Sequence, residues 1–410
     1  EGDIIKTVML VAGGRFQVPM AKKIKQMGPR LICTSLYENS PAFAYAEQSY
    51  AVDVLDKEKN LQIARQHHID AVVSDQSDIS METLAYIAED LRLPTNGMKI
   101  AALCSDKLQM RAHCREHGFF VPDFCACATV EDALAFLKGR GKIVIKPQNS
   151  QASRGVYYIQ NEEELRERFL QSQAFSHGDR LVIAEEYMDG GSSDGREFTV
   201  DGIFLNGKHH TLCISKKRHY EYNKSITCEM LFCMEDEVYD YPKLIAQNNR
   251  MMETTGAQMG MSHNEYKYHN GEFYLLEMSN RGGGNGISST VVPVISGVDN
   301  HAIYIRQSLG EPVSALYPEN AKKHRYVIIK FFDHRQFGGK ERFVIQSIDG
   351  LEKIAAHPNI LDVHINHAVG EEMCAAENGA NRPGYYTAFA DSLEELRAID
   401  ELVQRTISVR

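Results

Sequence analysis

Glu265-Tyr-Lys-Tyr-His-Asn-Gly-Glu-Phe-Tyr-Leu-Leu-Glu277, running on to Arg281-Gly-Gly-Gly-Asn-Gly-Ile-Ser-Ser289, is the stretch that decides how this 410-residue chain is read. Two apolar-rich segments flank Asn270-Gly271, a dipeptide that enters positive φ easily and closes β-hairpins. Register then governs chemistry, because side chains alternate between the faces of a strand. A two-residue turn puts Glu265 and Glu277 on opposite faces. A three-residue loop with Gly271 left-handed puts both carboxylates on one face, where two anionic oxygen donors suit magnesium bridging nucleotide phosphates. The plain alternative is a pair of solvent-facing strand residues. Arg281 and the glycines after it supply a fixed cation and backbone N–H groups that approach anionic oxygens closely. Alone, that segment reads equally well as a surface loop.

Upstream, Lys146 ends the apolar strand Ile143-Val-Ile-Lys-Pro147, where its amine either escapes to solvent or meets a ligand. Asn149-Ser-Gln-Ala-Ser-Arg-Gly155 is small and polar, suiting either a lid over phosphates or a simple turn. Leu181-Val-Ile-Ala-Glu-Glu-Tyr-Met188 is an apolar strand running into two acids. The basic run Lys216-Lys217-Arg218 reaches a triphosphate or is solvated; composition leaves both open.

The first third interleaves strands (Thr7–Val11, Arg30–Thr34, Ala71–Ser74) with helical patterns, the last from Ile79 to Leu91. That alternation predicts an open parallel sheet with ligands at the strand carboxyl ends, the positions of Gly13-Gly14 and Asp75-Gln76. One long helical stretch after Pro94 carries Asp106-Lys107, and short strands and hairpins take over from Pro122. Glu237–Thr255 reads as a helix, His263–Glu277 as a hairpin and Ser392–Thr406 as a final helix. The net charge of −10 excludes a general binder of nucleic-acid backbones, which needs a basic face. Nine scattered cysteines without a CxxC pair predict reduced thiols. No signal peptide or membrane-length apolar run is evident, so a cytoplasmic setting is expected.

Taken in order, these pieces resemble the ATP-grasp superfamily over nearly the whole chain. Ser105-Asp106-Lys107 through Met110 resembles the helix carrying the first ATP lysine, and Ile145-Lys146-Pro147 the strand carrying the second. Ser150–Val156 resembles the small glycine loop, Ala184–Met188 the adenine hinge, and Arg196–Asp201 the strand opening the large lobe. The resemblance implies nucleotide contacts from Lys107, Lys146, Ser153, Gly155, Glu185, Glu186, Tyr187, Met188 and Glu197. It implies metal ligation by Glu265 and Glu277, a catalytic trio of Arg281, Lys146 and Glu277, and a substrate pocket including His263, Asn264, Gly283 and Gly284. Many members carry asparagine two residues after the second glutamate; this chain has Ser279, with Asn280 beside it. Ser262-His-Asn-Glu265 with the Arg-Gly-Gly-Gly loop, and the late Arg382-Pro-Gly-Tyr-Tyr386, are similar to L-amino-acid ligases and carbamoyl-phosphate-synthase-like ligases.

The implied architecture is an ATP-grasp fold of mixed α/β and α+β lobes. Its parts are an N-terminal parallel α/β domain (1–95), a helical connection (96–122), a small lobe (123–190), a large lobe (191–322) and a C-terminal α/β region (323–410). The implied activity is an ADP-producing carboxylate–amine ligase that uses ATP with Mg2+ or Mn2+, passes through an acyl phosphate and takes small, amino-acid-like substrates. The expected partners are those small molecules, neither nucleic acid nor membrane, with a homodimer as the expected assembly. A biotin-carboxylase-like or sugar-acid enzyme, or a non-catalytic nucleotide-binding subunit, are the alternatives. The glycine-rich loop and the absence of a Met-Lys-Met segment weigh against biotin chemistry.

Overall fold

Apolar runs too short for helices become the parallel N-terminal sheet, with strands β1 (Thr7–Val11), β2 (Arg30–Ser35), β3 (Gln48–Ala51) and β4 (Ala71–Val73) in the order β3-β2-β1-β4. The computed structural model describes residues 5–149, 154–176, 178–188, 196–313, 323–338 and 341–410. Helices α1 (Val18–Met27), α2 (Lys57–Gln66) and α3 (Met81–Asp90) cover this sheet, and β1 is buried along its length, as a two-sided parallel strand must be. The helical stretch expected after Pro94 is two helices, α4 (Gly97–Ser105) and α5 (Lys107–Glu116). Asp106 breaks it: its backbone is extended and its carboxylate caps α5 by accepting from the N–H groups of Leu108 and Gln109. Lys107 thereby becomes the first residue of α5.

The small lobe comprises β5 (Phe124–Cys127), α6 (Val130–Leu137), β6 (Ile143–Pro147), β7 (Tyr157–Ile159), α7 (Glu162–Gln173) and β8 (Val182–Glu186), with sheet order β5-β8-β6-β7. Alternation decides which side chains meet the helices. Ile143 and Ile145 pack under α6 and α7, so Val144 and Lys146 face the other way.

The large lobe is built from β9 (Glu197–Leu205), β10 (Lys208–His219), β11 (Thr227–Phe232), α8 (Tyr241–Thr254), β12 (Met261–His269), β13 (Glu272–Ser279), α9 (Val292–Ser296) and α10 (Asn300–Ser308). The C-terminal segment adds β14 (Tyr326–Phe331), β15 (Arg342–Val344), β16 (Ile348–Asp349), α11 (Leu351–Ala355), β17 (Ile360–Ile365), β18 (Glu372–Cys374), β19 (Gly384–Ala390), α12 (Leu393–Thr406) and β20 (Ser408–Val409). Three of these strands continue the large-lobe sheet, giving eight antiparallel strands in the order β13-β12-β9-β10-β11-β14-β19-β17. On one face Phe198, Val200, Tyr266 and Phe273 pack against Leu244, Met251 and Met252 of α8. Toward the other, one apolar cluster runs from Val8, Leu10 and Ile24 through Ile203 and Met230 to Val327 and Ile329. That continuous core fixes the ends of β1 and β4 against the glycine-rich loop. All nine cysteines are free thiols, and no helix among the described residues is long and apolar enough to cross a membrane.

Candidate active site

The hairpin closes with a two-residue turn: His269 pairs with Glu272 across Asn270 (φ 48°) and Gly271 (φ 83°). On that register alone Glu265 and Glu277 fall on opposite faces. They do not, because Tyr266 pairs with Leu275 and Glu265 with Glu277, leaving Leu276 as an extra residue on β13. This β-bulge reverses the alternation, so that Phe273 and Leu275 before it and Met278 after it all reach the core while Glu277 turns outward. The Leu276 carbonyl accepts a 2.6 Å hydrogen bond from Arg111 Nη2. Of the two register alternatives, neither included this bulge; its effect on the carboxylates is that of the three-residue loop.

Both glutamates open onto a cleft of about 920 Å³ between the lobes. Lys107, Lys146, Glu185, Glu186, Tyr187, Met188 and Glu197 line it as well, so most of the expected nucleotide contacts converge. Ser153 lies outside the described residues. Gly155 (φ 75°) is dictated by packing, since a Cβ there falls 2.7 Å from Pro147 Cγ and 2.8 Å from Phe175 Cδ2.

Every cation of this cleft that sequence had singled out is held by a carboxylate. Lys146 Nζ is 2.5 Å from Glu185 Oε2, and Arg111, wholly buried, reaches Glu185 Oε1 at 2.7 Å. Burial depresses the Lys146 ammonium, partly offset by Glu185; burial would raise the Glu185 carboxyl, but Arg111 and Lys146 hold it below the usual range. Lys107 Nζ lies 3.1 Å from Glu277 and Lys217 Nζ 2.8 Å from Glu265. Glu197 receives His219 at 3.0 Å and Lys267 at 3.3 Å; against the opposing effect of burial, these bring it down to about 2.

Lys217 stood in the sequence only within the basic run Lys216–Arg218, open between a triphosphate contact and solvent, while His219, Lys267 and Arg111 escaped the sequence reading. The first three carry a legible signal: on β10, Lys217 and His219 share a face, as do His263, Glu265 and Lys267 on β12. Lys216 and Arg218 instead pair with Asp236 and Glu229. Arg111, on α5, has no such local pattern.

A second cleft of about 1010 Å³ adjoins the first, lined by Gln76, Asp78, His263, Arg281, Gly284 and Arg382 among others, and again by Glu265 and Glu277. Arg281 grips Asp78 with two bonds, Nε to Oδ1 at 2.7 Å and Nη2 to Oδ2 at 2.6 Å. Asp75 accepts from Ser288 Oγ at 2.7 Å, and Gln76 Oε1 accepts from the Gly286 N–H at 2.9 Å. The end of β4 therefore docks the glycine-rich loop. His263 bonds Asp201 at 2.9 Å and faces Glu265 at 3.6 Å; burial would lower it, but Asp201 and Glu265 push it up to about 9.

Two expected substrate contacts separate from the rest. Asn264 points to the opposite face of β12, where its amide donates to Asn248 Oδ1 at 2.7 Å, because neighbouring strand residues cannot share a face. Gly283 is packed against Asp201 and His263 rather than open to the cleft, whereas Gly284 has no atom within 4 Å of a built Cβ.

The donors present fit a hard divalent cation whose other ligands come from phosphate and water: two carboxylates on one face at the junction of two clefts. Ser279 is committed to Asp78 and Asn280 to Asn96, Met259 and Met261, so neither is disposed as a further ligand. Among the described residues no group of three or more His, Cys, Asp or Glu forms a ready-made metal cage.

Comparison with known proteins agrees with this fold. Residues 140–289 match the family described as ATP-grasp domain, and residues 344–410 match L-amino acid ligase C-terminal domain 2. A formate-dependent phosphoribosylglycinamide formyltransferase of Sulfolobus acidocaldarius is 27% identical over 198 residues, covering 48% of this chain and 49% of the relative. In such matches the chain spans about half the length of the curated relatives it matches. The structure of L-amino acid ligase from Bacillus licheniformis superposes with a TM-score of 0.79 at 18% identity, covering 100% of this chain and 99% of that one. The N5-carboxyaminoimidazole synthetase from Staphylococcus aureus complexed with ADP gives 0.73 at 15% identity, covering 98% of each. With these lobes and this cleft, the chain carries an ATP-grasp domain followed, in sequence order, by an L-amino acid ligase C-terminal domain.

Proposed function

We propose that this enzyme joins an amino acid, or a similar small carboxylic acid, to the amine of a second small molecule through an acyl phosphate, releasing ADP and phosphate. One observation carries the reading: Glu265 and Glu277 line both clefts, so a nucleotide cleft and a substrate cleft meet at a pair of carboxylates flanked by Arg281. The L-amino acid ligase C-terminal domain favours amino acids as substrates.

In this reading Glu186, Tyr187 and Met188 border the base, Glu197 lies toward the ribose, and Lys107 and Lys146 hold the phosphate tail. Glu265 and Glu277 would hold magnesium, which when bound would supply charge neutralisation on the nucleotide phosphates. A carboxylate is a poor electrophile and repels the anionic phosphates. Cations aimed at the transferring phosphoryl group offset that repulsion most strongly as charge redistributes, which is where rate is gained. Arg281, fixed by Asp78, presents its remaining N–H groups to the developing acyl phosphate. His263 and Gly284 border the substrate.

The test is ADP release with ATP and magnesium across amino acids supplied singly and in pairs. Release that requires two specific amino acids is expected. Release with formate and an amine, but with no amino acid, would transfer the chemistry named for the formyltransferase relatives to this chain. Silence with every acid would sink the ligase reading.

A further inference from the structure

The loop between β10 and β11 (residues 220–226) stands where both clefts and the small lobe meet. Ser225 lines the nucleotide cleft, and Thr227, the first residue of β11, lines the substrate cleft. Lys224 lines a groove whose other walls, Tyr158 and Tyr187 among them, belong to the small lobe. The internal shape of the loop is set locally. The Tyr220 N–H donates to the Ile226 carbonyl at 3.0 Å, and Asn223 Oδ1 accepts from the N–H of Ser225 at 3.1 Å and from its Oγ at 2.6 Å. Its direction is another matter. The pairing of β10 with β11 shifts register between Arg218 and His219, so the ladder alone does not fix the angle at which the loop leaves the sheet.

The C-terminal segment supplies that angle, chiefly through Tyr222. The Tyr222 ring stacks on Tyr220, with centroids 5.0 Å apart and planes 25° from parallel. The Arg335 guanidinium lies 5.1 Å from the Tyr222 centroid, and the His334 ring meets it edge-on at 5.7 Å. The Tyr222 hydroxyl accepts a 3.2 Å hydrogen bond from the Ala376 N–H. Tyr220 is fastened to the same segment, its hydroxyl donating to the Phe332 carbonyl at 2.8 Å. Tyr222 is 36% exposed, so these contacts do not fill a core. They are directed, and neither Tyr222 nor any of the residues that grip it lines either cleft. A side chain held in this way acts on the chemistry only through the residues it places.

Resting on the ligase reading above, we propose that Tyr222 is a positioning residue: gripped by the C-terminal segment, it sets the β10–β11 loop so that Ser225 and Thr227 stand at their two clefts together. The C-terminal segment is then a working part of the site rather than an appendage. One strut serves both clefts, so loosening it disturbs nucleotide binding and rate alike.

The test uses the full chain, with calorimetric binding of magnesium–ADP, ADP-release kinetics and urea midpoints measured on the same preparations. Tyr222→Ala is expected to weaken magnesium–ADP binding about 3- to 10-fold, the worth of roughly one hydrogen bond. It is expected to lower kcat about 10- to 100-fold, the scale of a displacement near 1 Å beside reacting groups. Tyr222→Phe keeps the ring and loses one hydrogen bond, and is expected to stay within about 5-fold of wild type in both. A purely structural role would lower the urea midpoint and leave the affinity and kcat of the folded enzyme unchanged. That result overturns the proposal, as does Tyr222→Phe failing as badly as Tyr222→Ala. Arg335→Met loosens the same ring from the C-terminal side and decides the matter if Tyr222→Ala does not fold. It is expected to shift affinity and kcat in the same direction by about 2- to 5-fold, and less than additively with Tyr222→Ala. Full additivity, or no effect of Arg335→Met, overturns the proposal as well. If wild type releases no ADP on any acid, the ligase reading falls and magnesium–ADP affinity alone decides the case for Tyr222.

Discussion

Gly283→Ala tests how tightly the glycine-rich loop is set against the large lobe. A Cβ there falls 2.8 Å from His263 Nδ1 and 2.9 Å from Ile287 Cβ, and closer still to Asp201 Oδ1. None of these neighbours has room to retreat, since Asp201 is 1% exposed, Ile287 2%, and the His263–Asp201 bond ties two of them together. Relief therefore comes from the loop, by roughly 1 Å if ordinary contact distances are to be restored. Overpacking of this kind costs about 1–3 kcal/mol in stability. A displacement of that size beside reacting groups costs on the order of 10²-fold in rate, because Arg281 and Gly284 move with the loop. Gly284→Ala is the internal control: it meets no atom within 4 Å, so stability should stay within about 0.5 kcal/mol while the new methyl narrows the substrate cleft. Urea midpoints and ADP-release kinetics read the two effects separately. Gly283→Ala with activity within a few-fold of wild type would refute the claim that this loop is fixed by contact with Asp201 and His263.

Glu277→Gln should abolish magnesium-dependent turnover, by about 10²-fold or more, yet cost under about 1 kcal/mol in the urea midpoint, because its side chain is 32% exposed and its pair with Lys107 is partly solvated. Arg111→Met removes one of two cations from the buried Glu185 and should cost ~3 kcal/mol, the low end for a broken buried pair because Lys146 remains. The double variant with Glu185→Gln should lose clearly less than the sum of the single losses; simple additivity in guanidinium denaturation would contradict the shared network. Glu197, brought down to about 2 when folded, adds stability that is complete above the unfolded carboxylate range near pH 4.3 and drains away as pH falls from there toward 2. Glu197→Gln should flatten that limb of the stability–pH curve, and an unchanged acid limb would show that the pairing with His219 and Lys267 is too weak to matter.

The fold was legible where periodicity was strong, and the site where composition changed abruptly. The interleaved strands of the first third, the helix at α8 and the hairpin of β12 and β13 all appear near their expected positions. What stayed hidden depends on single residues answering to distant ones. The break at Asp106 is a cap that outweighs helical continuity over a few residues. The bulge at Leu276 has no signature in Phe-Tyr-Leu-Leu-Glu, since the extra residue is apolar like its neighbours and its carbonyl is anchored from α5, far off in sequence. The C-terminal strands read as a region of their own because sheet membership is a matter of pairing, and β14 joins β11 across many intervening residues.

The electrostatics of the site suggest how an acidic chain holds a polyanionic nucleotide. Lys107, Lys146, Lys217 and Lys267 each face a carboxylate, so the cleft is charge-compensated before ligand arrives rather than strongly positive. Phosphate must therefore be received by exchange of partners. Were Glu277 and Glu265 to hold a divalent cation as proposed, they would loosen their hold on Lys107 and Lys217, and those amines would become available to phosphate oxygens. Lys146 behaves otherwise, because Glu185 is also anchored by Arg111 and cannot follow a ligand; it stays in place as a fixed cation. On this account magnesium and ATP bind with positive coupling that runs through Lys107 and Lys217, and by reciprocity each ligand should tighten the other by the same factor. Arg111 in turn links the fixed and exchanging halves, since one guanidinium holds both Glu185 and the bulge that turns Glu277 into the cleft.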